Sequence, residues 1–176
     1  MRKTKYHIKK KIMPLLLAVA MAGTATPIYV AHPAIVKAAV SNAFGTNKIS
    51  LSAGSYTVPV SLKKADNVEQ NSMAAGAVGE NATLEVAEDG TASLEVELKA
   101  LNLYGMTGAA KDLKVYQGND IKSETKDVIV EETDEAGNPT KIKFTIPESA
   151  KTTDGIYLHM TISPMGMGTD AFLKVD

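Results

Sequence analysis

The stretch that most restricts the fold is Ser93–Lys99. Leu94, Val96 and Leu98 alternate with Ser93, Glu95, Glu97 and Lys99, and a two-residue period places alternate side chains on opposite faces of an extended strand. A strand with one apolar and one wet face belongs to an antiparallel sheet covered on one side only. An amphipathic helix is excluded, because its apolar positions recur every three or four residues. The same period appears in Tyr56, Val58, Val60 and Leu62, which alternate with Thr57, Pro59, Ser61 and Lys63. It returns in Ile142/Phe144/Ile146 and in Ile156/Leu158/Met160/Ile162. Shorter apolar runs begin at Leu84 and Val86 and cover Leu113–Tyr116, Val128–Val130 and Ala171–Val175. Pro59 has no N–H to give to a ladder, so its strand is expected at an edge or crossing at a bulge.

Turn signals separate these runs. Glu88-Asp89-Gly90-Thr91 and Asp134–Pro139 (DEAGNP) are rich in residues that favour tight bends. Short strands at this spacing predict an all-β chain folded as an immunoglobulin-like antiparallel β-sandwich. Nothing keeps a helical period over three turns. Only Asn71–Val78 (NSMAAGAV) predicts a short 3-10 or helical turn, with Ser72 as its cap.

Charge divides the chain. Of its 19 basic residues, seven lie within residues 1–38, which contain no acid, so residues 39–176 carry 12 basic against 20 acidic residues, a net charge of −8. A body this acidic is a poor nucleic-acid binder, since phosphate attraction needs basic patches. Residues 2–11 read as the basic region of a secretory signal, and Ile12–Ala22 as its apolar core. That core contains Pro14 and falls short of the ~20 residues of a membrane-spanning helix. Small residues at Val36-Lys37-Ala38 or Ala39 suit a signal peptidase. The expected organisation is a signal peptide over 1–38, a linker over 39–49 and one domain over 50–176. The long Lys-rich leader fits a Gram-positive exporter, which places the protein in the medium or at the cell surface or cell wall.

Catalytic constellations are missing from the pattern. The chain has no Cys, which removes thiol nucleophiles, disulfides and Cys-ligated metals. The body has one histidine, His159, at an outward position of its strand. Gly105 and Gly108 lack the Lys-Ser/Thr that completes a phosphate loop. Asp134–Asn138 offers only a fragment of a calcium loop. A binding module is expected, not an enzyme.

Methionine is the unusual signal. Of eight Met residues, five lie in the body: Met73, Met106, Met160, Met165 and Met167. Met160 falls on the inward face of its strand. Met165 and Met167 sit in a Gly-rich loop, Met106 in the Gly-punctuated stretch Asn102–Ala110, and Met73 opens the short turn. Loop methionines suit an adaptable apolar site or thioether ligation of a soft metal, or they simply plug the end of the sandwich.

The order of features resembles the near-iron-transporter (NEAT) haem-binding domains of Gram-positive surface proteins. Leu51–Leu62 looks like that family's first strand with its Gly-x-Tyr lead, and Asn71-Ser72-Met73-Ala74 resembles the short 3-10 turn at the lip of its pocket. The Gly90–Lys99 hairpin return and the terminal hairpin Ile156–Ser163…Ala171–Asp176 follow in the family's order. The resemblance spans about residues 50–176. It implies a haem-capture module that takes the porphyrin in an apolar cleft between the lip turn and the last hairpin. Ser72 would meet a propionate, and Met106, Ile162 and Met165 would contact the ring. Typical members carry Tyr-x-x-x-Tyr entering the last strand; counted back from that strand, these positions fall on Met167 and Ala171, so both tyrosines are missing. Met167 then stands where the iron-ligating Tyr is expected, and Met73 approaches the other face.

The implied partners are haem, a haemoprotein donor and other haem-carrier domains, with cell-wall association and no nucleic acid. A second class stays open: a non-haem ligand- or protein-binding module of a bacterial surface protein. Copper held by Met165, Met167 and His159 is a third and more distant reading.

Overall fold

The computed structural model describes residues 52–175 except Tyr104, with the backbone alone at Leu103, Lys151 and Thr152. The expected signal peptide (1–38) and linker (39–49) lie outside the described residues. Ten strands follow one another: β1 (Gly54–Lys64), β2 (Val78–Val86), β3 (Ala92–Leu98), β4 (Leu101–Leu103), β5 (Met106–Tyr116), β6 (Thr125–Asp127), β7 (Ile129–Thr133), β8 (Pro139–Thr145), β9 (Gly155–Ser163) and β10 (Met167–Val175). Every pairing is antiparallel, in the order β4-β5-β9-β10-β1-β2-β3-β8-β7 with β6 on β5. The expected all-β sandwich is what forms.

The two layers share strand β1. It pairs with β2 as far as Pro59↔Asn81 and with β10 from Val60↔Val175 to Lys64↔Ala171. Pro59 therefore sits at the changeover, where the ladder is interrupted in any case, and its missing N–H leaves no gap inside a sheet. The opposite side crosses in the same way. β6 pairs with β5 at Lys114↔Asp127 and β7 with β8 at Ile129↔Lys143, with Val128 between them.

Alternation decides what fills the interior. Val58, Leu84, Leu94 and Ile142 from one layer and Leu158, Met160, Ala171 and Leu173 from the other are all buried. These belong to one continuous apolar cluster. No polar or charged side chain is buried among the described residues, so the core carries no desolvation cost of that kind. The Glu88–Thr91 turn forms as expected: Gly90 takes φ +82° and the Thr91 N–H donates to Asp89 Oδ1 at 2.8 Å. A side chain at Gly90 would be strained in that left-handed conformation.

Several boundaries differ from the sequence expectation. Leu84 and Val86 end β2 instead of opening it, because Val78–Asn81 also joins β1 and β3 despite Gly79, Glu80 and Asn81. Two 3-10 turns form where one was expected: Ala75–Ala77 and, after Pro147, Glu148–Thr152. Ser72 does not cap the first. Its N-cap is Ala74, with no side-chain bond, while Ser72 Oγ accepts the Ala74 N–H at 3.2 Å one step earlier. Asn102–Ala110, expected as a loop, contains the tight β4–β5 hairpin, with Leu103 opposite Met106.

Candidate binding site at the hairpin end of the sandwich

The site is built where β1 runs out. The β1–β10 ladder stops at Lys64↔Ala171, yet β10 continues outward to Met167, held by β9 alone through Met167↔Ile162 and Thr169↔Met160. On that flank, residues 167–170 have no ladder with β1. The chain leaving β1 folds back instead: Lys64 N–H donates to Gln70 O and Ser72 N–H to Leu62 O. It then enters the first 3-10 turn, which docks on the strand across from it. Lys99 N–H donates to Ala77 O at 2.9 Å, and a Cβ on Gly76 would meet Leu101 Cδ1 at 3.3 Å. The lip turn, the β4–β5 hairpin and the β9–β10 hairpin thus lie at one end of the molecule.

The sequence-predicted residues distribute themselves around that end. Met73, Met106 and Met167 are the exposed ones, at 65%, 44% and 55% of their surface. Met165 is half-buried against the core, Ile162 is buried, and Ser72 is half-buried. Met106 and Met167 are not loop residues: each opens its strand. Ladder parity gives Met167 the inward face, because it stands opposite buried Ile162 on the face shared with Ala171. Ala171, where the resemblance expects the second Tyr, is fully buried and stands opposite Leu158. A phenol there would need room that the packed interior does not offer.

His159 points the other way. It is paired with Asp170 on the outer face of β9–β10, its Nδ1 2.7 Å from Asp170 Oδ1. The same oxygen accepts the Tyr116 hydroxyl at 2.9 Å. Tyr116, His159 and Asp170 therefore tie β5, β9 and β10 together across the outer face. Burial, reinforced by the Asp170 carboxylate, pushes the Tyr116 phenol up to about 12. This arrangement overturns the copper reading through Met165, Met167 and His159, since the imidazole and the Met167 thioether occupy opposite faces of one sheet. Sequence reasoning treated His159 as a bare surface histidine and missed Asp170 and Tyr116. The hairpin register, which brings 159 opposite 170, is the signal that would have found them.

Two grooves lie elsewhere, on the outer face of the β1–β2–β3–β8 layer. One, of about 490 Å³, is bordered by Ser55, Glu85, Ser93, Ile129 and Thr145. The other, of about 460 Å³, is bordered by Thr57, Asn81, Thr83, Glu95 and Glu97. Neither includes any of the six predicted site residues. Among the described residues no group of three or more His, Cys, Asp or Glu converges as a metal site, and no helix is long and apolar enough to cross a membrane.

The protein is an antiparallel sandwich whose layers share a strand and whose hairpin end exposes three methionines. Residues 50–176 match the model of the NEAT family, the iron transport-associated domain, and the chain belongs to that family. It is thus a member of a transport-associated binding family, not of an enzyme family. A search of curated proteins found no match.

Proposed function

We propose that this domain captures haem for iron acquisition at the methionine-rimmed end of the sandwich. The observation that carries the reading is the exposure of Met73, Met106 and Met167 at that one end, in a family associated with iron transport. Covering a large apolar side chain stabilises by about 1.5–3 kcal/mol, so three exposed thioether chains favour a flat apolar ligand over water. Thioethers are also soft donors that accept haem iron. The residues present therefore fit haem as cargo, with Met167 and Met73 as axial donors and Met106, Met165 and Ile162 against the ring. Ser72 would donate a hydrogen bond to a propionate.

The donor set sets the expected chemistry. A phenolate is hard and anionic and stabilises ferric iron, whereas a thioether is neutral and favours the ferrous state. This domain should hold ferric haem more weakly than a Tyr-ligated relative and give it a higher reduction potential. We further propose that residues 1–38 are removed on export and that the domain meets a haemoprotein donor or another haem carrier in the medium or at the cell wall.

Haemin titration of the purified domain, followed in the Soret region, tests the reading. A specific spectrum is expected, with altered ligand bands in Met167→Ala and Met73→Ala. Absence of any specific haem spectrum in the parent would sink the function. Haem bands unchanged by both substitutions would leave binding intact and overturn the ligand assignment.

A further inference from the structure

Among the described residues the methionines differ widely in exposure. Met73, Met106 and Met167 are 65%, 44% and 55% exposed, whereas Met160 is 0% exposed on the inward face of β9. Chemistry distinguishes them as sharply as solvent does. A hydroperoxide reacts with a thioether only when the sulfur can attack the distal peroxide oxygen, so access governs the rate. The S–O bond forms as the O–O bond breaks; sulfur loses two electrons, the peroxide gains them and leaves as water or an alcohol. The product is a polar, chiral sulfoxide in place of a flexible apolar thioether. The chain has no Cys, so no thiol competes for the oxidant within the molecule.

We propose that Met73, Met106 and Met167 form a peroxide-modification site, and that their conversion to sulfoxides closes the apolar end to its ligand. The second half rests on the haem reading above; the first stands on exposure alone. All three residues lie at the end of the sandwich shaped by the lip turn and the two hairpins, so oxidation changes one surface and leaves the core alone. Met160 is the internal reference, and half-buried Met165 is expected to react at an intermediate rate. Three sulfoxides remove three apolar contacts and, at Met73 and Met167, replace the soft sulfur donor by a hard oxygen. A domain that refuses haem when peroxide is abundant would avoid carrying iron into the oxidant.

The test exposes the folded domain to dilute hydrogen peroxide, quenches it at intervals and maps oxidation by peptide mass spectrometry. Met73, Met106 and Met167 should oxidise at least about tenfold faster than Met160, with circular dichroism unchanged. Equal rates at Met160 and the three exposed positions overturn the site. Haemin is then titrated into fresh and oxidised protein. Affinity should fall by about tenfold or more, and methionine sulfoxide reductases should restore it. In the triple variant M73L/M106L/M167L the same peroxide exposure should add three fewer oxygens than in the parent. Equal haemin affinity before and after full oxidation overturns the switch. If fresh protein takes no haemin, the switch falls with the haem reading, while the mass spectra still decide the modification site.

Discussion

Replacing Gly108 by Ala tests the geometry that supports the hairpin end. Gly108 faces Leu101 in the β4–β5 hairpin, and its neighbour Ala109 pairs with Ser163 at the root of the β9–β10 hairpin. A Cβ at 108 would lie 2.1 Å from Ser163 O and 3.3 Å from the Ser163 carbonyl carbon. Close carbon–oxygen contacts between strands sit at about 3.3–3.6 Å, so β5 and β9 must separate by roughly 1 Å. The obstacle is backbone, which cannot rotate away as a side-chain tip does. Overpacking of this kind costs about 1–3 kcal/mol, and the upper end applies here. Against it stands a gain of about 0.4–1 kcal/mol from stiffening the unfolded chain. The net expectation is a loss of about 2–3 kcal/mol, or roughly 8–12 °C in Tm for a domain of this size. Urea unfolding followed by circular dichroism measures it, with Gly79→Ala as control. At Gly79 the nearest contact would be Glu97 Cβ at 3.4 Å, ordinary packing, so a change of no more than about 0.5 kcal/mol is expected. The reasoning fails if Gly108→Ala is as stable as the parent.

Three further outcomes are expected. Leu94→Ala empties a fully buried position of β3 and should lower stability by about 2–5 kcal/mol in the same assay. Tyr116 should titrate near 12 in an ultraviolet pH titration of the folded domain. Because its folded value is raised above that of the unfolded chain, its contribution is full below about pH 10 and is lost as pH climbs toward 12. In Asp170→Asn the Tyr116 value should fall only part of the way to 10, since burial is the larger cause and the carboxylate the smaller.

The alternation in Leu94/Val96/Leu98 and in Ile156/Leu158/Met160/Ile162 located two central strands and their buried faces, because side-chain parity is a local property of an extended chain. Strand ends were less legible. Val78–Asn81 and Ala109–Lys111 are drawn into ladders by partners distant in sequence, and residues such as Gly79, Asn81 and Gly108 carry no strand signal of their own. The sharing of β1 between layers was half visible: Pro59 marked a place where a ladder should fail, but only pairing with β10 shows where the strand goes next. At the candidate site, the lip turn and the last hairpin were legible as segments. Their meeting at one end was not, since it depends on the register that lets β10 outrun β1. The Tyr116–Asp170–His159 tie needed that same register together with the pairing of β5 and β9.

The β1–β10 ladder also has a directional consequence. Val60 stands opposite Val175, Lys64 opposite Ala171, and Met167 lies four residues beyond. The start of β1 and the finish of β10 therefore point to one pole, and the methionine rim occupies the other. At about 3.3 Å per strand residue, Val175 and Met167 are separated by roughly 26 Å. A neighbouring domain, a surface or a fusion partner joined through either strand would attach at the far pole. The methionine end would then point away from that attachment, so neither joined chain would have to pass across it.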